Sequence, residues 1–233
     1  KYTYELIDPP ENMRISEDGI INWIPLPTQV DNYFFNVQVF DGFATFVLKY
    51  KIYINAKPVI SSRPSELSFI NLMDSLSFAL ESFDMNSDAV LNWKLISGPD
   101  DMVLNSNGIL KWKASLIDHN PYQIQLSDGI DSTEWKGSIY VNTPPIITSR
   151  PDTIISENHI YKYSINVVDN NMISPFNPDS SNTITYELIE GASGMEINNN
   201  VLWWKNNNKT IGEYFISIKV SDGINEIFQN YKL

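Results

Sequence analysis

A fixed order of landmarks recurs three times along this chain, and that recurrence rules out most folds at the start. Tyr4-Glu5-Leu6, Trp93-Lys94-Leu95 and Tyr186-Glu187-Leu188 each precede a methionine, at Met13, Met102 and Met195. A tryptophan follows each methionine, at Trp23, Trp112 and Trp204, and each lies just after a turn-former at Gly19, Gly108 or Asn200. An alternating strand pattern and an Asp-Gly pair then close the unit, at Asp41-Gly42, Asp128-Gly129 and Asp222-Gly223. The stretch Ala56-Lys57-Pro58-Val59-Ile60-Ser61-Ser62-Arg63-Pro64 is echoed by Thr143-Pro144-Pro145-Ile146-Ile147-Thr148-Ser149-Arg150-Pro151, so the chain restarts there.

Within each unit the period is two. Tyr33, Phe35, Val37 and Val39 alternate with Phe34, Asn36, Gln38 and Phe40, and Tyr214, Ile216, Ile218 and Val220 alternate with Phe215, Ser217, Lys219 and Ser221. This is the pattern of half-buried strands, and no helical stripe of comparable length competes with it. Several short strands per unit, separated by Gly, Asn, Asp and Pro clusters, predict an all-β chain of tandem seven-stranded sandwiches of the immunoglobulin-like or cadherin-like kind. The expected units are a partial sandwich over 1–56 that lacks its opening strands, a second over 57–143, and a third over 144–233 with an inserted loop at 171–182. The sequence therefore reads as an excerpt of a longer protein. Its first unit is expected to expose sheet edges that strands from elsewhere, in the same chain or another, would cover. The Met and Trp of each unit should anchor its core, the Asp-Gly pairs should make hairpin turns, and Pro58, Pro144 and Pro145 should stiffen the joints into a semi-rigid rod.

Composition narrows the function classes. A formal net charge of −12 opposes binding to nucleic acid or to anionic membrane surfaces, both of which need a positive field. No apolar run reaches the length of a membrane-spanning helix, so no membrane insertion is expected within these residues. The chain has no cysteine, which removes disulfides, thiolate metal sites and Cys nucleophiles, and leaves the redox compartment open. Its only histidines are His119 and His159, too few for a three-His metal site.

The series Tyr186-Glu187-Leu188, Gly194-Met195-Glu196-Ile197, Val201-Leu202-Trp203-Trp204, Gly212-Glu213-Tyr214 and Val220-Ser221-Asp222-Gly223 resembles the dystroglycan-type cadherin-like and immunoglobulin-like repeats of prokaryotic surface proteins. The resemblance runs over nearly the whole chain and implies an extracellular or cell-surface location. It constrains function weakly, because such modules occur in adhesins, surface layers and secreted hydrolases. Cadherin-type relatives often hold calcium at the joints between modules, where the ion takes six to eight oxygen ligands. The resemblance places the second joint's ligands at Asp169 and Asp222, with Asp74, Asp118 and the linker residue Asn142. At the first joint the set is Asp84, Asn86, Asp88 and Asp128, with Asn55 in the linker and Asp31 upstream. Glu157 resembles the acidic residue serving the next joint along. The linkers Ile54-Asn55-Ala56-Lys57-Pro58 and Val141-Asn142-Thr143-Pro144-Pro145 lack the Asp-rich run of animal cadherins, and Lys57 adds a positive charge. Two readings of these residues stay open: calcium ligands, or turn-formers and solubilising charges.

Two features break the repeat. The insertion at 171–182 carries Met172, Ile173 and Phe176 in a polar loop, suited either to docking a neighbour or to folding back on its own sandwich. Trp203 replaces Asn22 and Lys111 at an outward-facing position, where an aromatic ring can stack on a sugar or a subunit. Trp135, aligned with Leu48, reads as core. Asp100, Asp101 and Asp118 are carboxylates without a sequence signal for a cleft, and Asn208-Lys209-Thr210 is a bare sequon. The expected function is a non-catalytic structural or adhesive segment, a stalk or assembly piece, whose partners are other subunits or further domains of the same protein. The alternative is an accessory carbohydrate-binding segment of a secreted glycosidase, with a glycan as partner.

Overall fold

The computed structural model describes residues 1–171, 174, 181, 183–206 and 211–233. Most of the insertion, including Met172, Ile173 and Phe176, and the whole sequon at 208–210 lie outside the described residues. Among the described residues every regular element is a β-strand, and the chain is an all-β protein of immunoglobulin-like and cadherin-like sandwiches.

The second repeat shows the architecture most fully. Asn92–Ser97, Asp118–Ser127, Ser132–Asn142 and Leu67–Asn71 form one four-stranded sheet in that order. Its last pair is parallel, with Leu67 opposite Ser138 and Asn71 opposite Asn142. Val103–Leu104, Ile109–Lys113 and Ser75–Ala79 make the facing sheet, and Val59–Ser62 pairs with Glu81–Phe83 beside it. Alternation along Asp118–Ser127 explains why it sits centrally. Tyr122, Ile124 and Leu126 are buried while Gln123, Gln125 and Ser127 stay half-buried on the other face.

Three clusters of buried side chains lie in succession along the sequence. Leu110, Trp112, Met102, Tyr122 and Ile124 belong to the second; Leu202, Trp204, Met195, Ile216 and Ile218 belong to the third. The first is thinner: Met13, Phe35 and Val37 are buried, with Trp23, Leu6 and Ile52 packed partly against them. The Met and Trp landmarks thus hold the second and third cores as the repeat implied, and Met13 does so in the first. Trp23 is only half-buried, because no described strand covers its side of the first repeat in the way Ser75–Ala79 covers Ile109–Lys113. For the same reason Phe46, Leu48 and Tyr50, on the sheet-edge strand Thr45–Ile54, remain 57%, 47% and 43% exposed. Trp135 packs partly against the second core, with the Arg63 guanidinium 3.9 Å from its ring centroid.

The Asp-Gly pairs make the same hairpin turn three times. Asp41 Oδ1 accepts the backbone N–H groups of Phe43 and Ala44, Asp128 Oδ1 those of Ile130 and Asp131, and Asp222 Oδ1 those of Ile224 and Asn225. Each turn needs a residue at positive φ, and Gly42, Gly129 and Gly223 supply it at 102°, 92° and 93°.

Candidate functional site

The joints between repeats gather most of the candidate residues. At the second joint, the strand Ser132–Asn142 ends in Val141 and Asn142, Thr143 follows, and all three are buried. Asn142 Nδ2 donates to Asp222 Oδ2 at 2.8 Å, so the turn aspartate holds its own hairpin with one oxygen and the preceding repeat's linker with the other. Asn171 lies across the joint from the linker. Its Oδ1 accepts both the backbone N–H and the hydroxyl of Thr143 at 2.7 Å, and its Nδ2 donates to Val141 O at 2.8 Å and Asp118 Oδ1 at 2.9 Å. Its own backbone N–H donates to Asp169 Oδ1 at 2.8 Å. A further link runs from Asn225 Nδ2 to Asn71 Oδ1.

The first joint repeats these bonds with equivalent residues. Asn86 Oδ1 accepts Ala56 N–H at 2.6 Å, while Asn86 Nδ2 donates to Ile54 O at 2.8 Å and Asp31 Oδ1 at 3.1 Å. Asn86 N–H donates to Asp84 Oδ1, and Asn55 Nδ2 donates to Asp128 Oδ2, both at 2.8 Å. Ser87 adds bonds from its N–H and hydroxyl to Asp31, and Tyr53 OH donates to Asp88 Oδ1. Asp31 and Asp118 both stand at positive φ, 73° and 66°, where side-chain residues other than Asn and Asp are rarely placed. The shared strain brings each carboxylate to its asparagine.

The same groups set the local electrostatics. Burial raises the Asp169 carboxyl above the usual range, and the charges of Asp222 and Asp118 add to it against the hydrogen bonds from Asn171 and Thr143. Burial likewise pushes the Tyr140 hydroxyl up, reinforced by Asp118, Asp169 and Asp222. At the first joint burial, the bond to Asp88 and the charges of Asp88, Asp31 and Asp84 push Tyr53 up to about 12. Asp31 moves the other way: burial would raise it, but the bonds from Asn86 and Ser87 outweigh that and lower it. Asp128 is lowered in the same manner by Asp131, Asn55 and Ile130 against its burial.

Asp118, Asn142, Asp169 and Asp222 therefore meet at one joint, and Asn55, Asp84, Asn86, Asp88 and Asp128 at the other. Asp74 does not join the asparagine-centred bonds; its Oδ2 caps its own turn by accepting Asn71 N–H at 3.0 Å. Sequence reasoning missed Asn171, Thr143 and Asn225. The signal for Asn171 was present in the shared Asp-x-Asn spacing of Asp84-Met85-Asn86 and Asp169-Asn170-Asn171. Among the described residues no three His, Cys, Asp or Glu side chains converge as a metal-holding group.

Trp203 lies apart from the joints, on the outer face of the sheet made by Ile160–Ser164, Val201–Lys205 and Glu196–Asn198. It is 38% exposed and stands in one cross-strand row with Lys162 and Glu196. A shallow depression of about 490 Å³ beside it is lined by Lys162, Glu196, Asn198, Asn199, Val201 and Trp203.

No family model matches the chain, and no curated protein matches it. Among solved structures, the I-band fragment of titin aligns over 99% of this chain and 86% of its own, with 11% identity and a TM-score of 0.50. Drosophila N-cadherin EC1-4 aligns over 100% of this chain and 66% of its own, with 13% identity and a TM-score of 0.39. An endo-fucoidan hydrolase of glycoside hydrolase family 107 aligns with 19% identity and a TM-score of 0.33, and this chain spans 38% of its length. At such identities the likeness shows the fold alone, a tandem immunoglobulin-like β-sandwich.

Proposed function

We propose that this chain is a non-catalytic spacer and adhesive segment of a larger cell-surface or secreted protein, in which successive sandwiches are fixed end to end and joined to further domains or subunits. One observation carries the reading: the two joints are built from the same pattern of bonds around a buried asparagine, Asn86 to Ile54, Ala56 and Asp31, and Asn171 to Val141, Thr143 and Asp118. Flexible linkers have no need of a repeated, buried polar network, since every unsatisfied group in it would cost stability. Small-angle scattering tests the reading. Three bodies each about 35 Å long, the length of a ten-residue strand, give a radius of gyration of about 30 Å when placed in line. A compact chain of this length would give about 18 Å, and that value would remove the spacer role.

A second, compatible reading rests on the third repeat alone. The outer face around Trp203 offers an aromatic ring, an ammonium, a carboxylate and two amides around a shallow depression, the groups that stack on and hydrogen-bond to a sugar. We propose a glycan contact there. Glycan-array binding by the intact chain that disappears in Trp203→Ala is the expected result, and an array without signal retires this reading while leaving the spacer role standing.

A further inference from the structure

We propose that asparagine amides close both joints in the place where the resembled family holds calcium, so that the angle between repeats is set without a divalent cation. The argument starts from what calcium needs, which is six to eight oxygens converging at about 2.3 to 2.6 Å. At the first joint Asp31 Oδ1 and Ile54 O do converge, and at the second Asp118 Oδ1 and Val141 O do so. In each case the atom they converge on is a side-chain nitrogen, Nδ2 of Asn86 or of Asn171.

Neither amide is free to turn round and offer its oxygen instead. Asn86 Oδ1 is held by Ala56 N–H, and Asn171 Oδ1 by both donors of Thr143. A backbone N–H can only donate and a backbone carbonyl can only accept, so the surrounding main chain dictates which end of the amide faces which way. Both asparagines are 4% exposed. Seating an ion at either point would evict a buried amide and leave a linker N–H without its partner. The second amide of each joint, Asn55 or Asn142, also donates to a further carboxylate, at Asp128 or Asp222.

One atom argues for a cation: Asp84 Oδ2 is buried with no hydrogen-bond partner. It supplies a single ligand, whereas both oxygens of Asp31 and of Asp128, with Oδ1 of Asp84 and of Asp88, already receive N–H or O–H donors. The donor set as a whole is that of a hydrogen-bonded clasp, and it does not fit calcium.

Thermal melts of the whole chain in chelator and in millimolar calcium chloride decide the matter. The expected midpoints agree to within about 1 °C, whereas an ion bound at a hundredfold excess over its dissociation constant would raise the midpoint by about 10 °C or more. Any saturable calcium-dependent rise overturns the proposal. The near-isosteric Asn171→Asp and Asn86→Asp changes give the complementary reading, because they replace the donor with an acceptor facing Asp118 or Asp31. Each is expected to loosen its joint in chelator, seen as a changed scattering profile while near-ultraviolet circular dichroism reports intact cores. Scattering identical to the unaltered chain in chelator would show that the amide closes nothing.

Discussion

Trp204→Ala is expected to unfold the third repeat at temperatures where the second remains folded. The indole is 2% exposed, sits edge-on to Tyr214 with centroids 5.2 Å apart, and donates from Nε1 to Ser193 O at 3.2 Å. Its removal combines lost transfer energy with a cavity that the two sheets cannot fully collapse, a cost of about 3 to 5 kcal/mol. A single domain is stable by about 5 to 15 kcal/mol in total, so one truncation consumes a large part of the margin. The conservative change separates the two buried tryptophans further. Trp112 Nε1 is buried with no hydrogen-bond partner, so Trp112→Phe removes a donor that contributes nothing, whereas Trp204→Phe also gives up the hydrogen bond to Ser193 O. Urea titrations of the three variants should therefore place Trp204→Ala lowest and Trp112→Phe highest. The order reversed, or Trp204→Ala melting with the unaltered chain, would contradict the core assignment.

Asn171→Ala is expected to be the most damaging single change at a joint. It removes the asparagine partner of Val141 O, Thr143 N–H, the Thr143 hydroxyl and Asp118 Oδ1, of which the last two keep contacts to Asp169 and Tyr140, in a place where Val141 and Thr143 are buried and water enters poorly. Leaving buried groups unpaired costs about 1 to 3 kcal/mol each, and the total should reach on the order of 3 kcal/mol after partial relaxation. Asn86→Ala should cost less. Asp31 keeps its bonds from Ser87, and Ile54 and Ala56 are only half-buried, so solvent can replace what is lost. Hydrogen exchange at the Thr143 and Ala56 amides measures both effects directly. Equal protection in the two variants would mean that burial does not distinguish the joints.

What could be read from the sequence was whatever depends on nearby residues. The alternation of Tyr122, Ile124 and Leu126 with glutamines is a two-residue rule, and the Asp-Gly turns are closed within four residues; both are visible in one window of sequence. The depth of Trp23 was not, because it depends on which strands the fold sets beside it, and among the described residues none covers it as Ser75–Ala79 covers Ile109–Lys113. The parallel pairing of Leu67–Asn71 with Ser132–Asn142 is equally non-local. At the joints, sequence drew together most of the carboxylates and the asparagines Asn55, Asn86 and Asn142, but not the bonds that each asparagine makes. Asn86 and Asn171 look like any turn residue until the fold brings each against a linker some thirty positions upstream. Asp74 makes a local bond instead, its Oδ2 accepting Asn71 N–H.

The two oxygens of Asp128 and Asp222 have a consequence for how such a chain assembles. Because one oxygen secures the hairpin that ends a unit while its twin grips the linker leading into that unit, the last turn cannot close without also presenting the latch for its predecessor. Maturation of each unit and its coupling to the one before it are thus a single step. A growing polypeptide would lock its units one at a time, in the order in which they are synthesised.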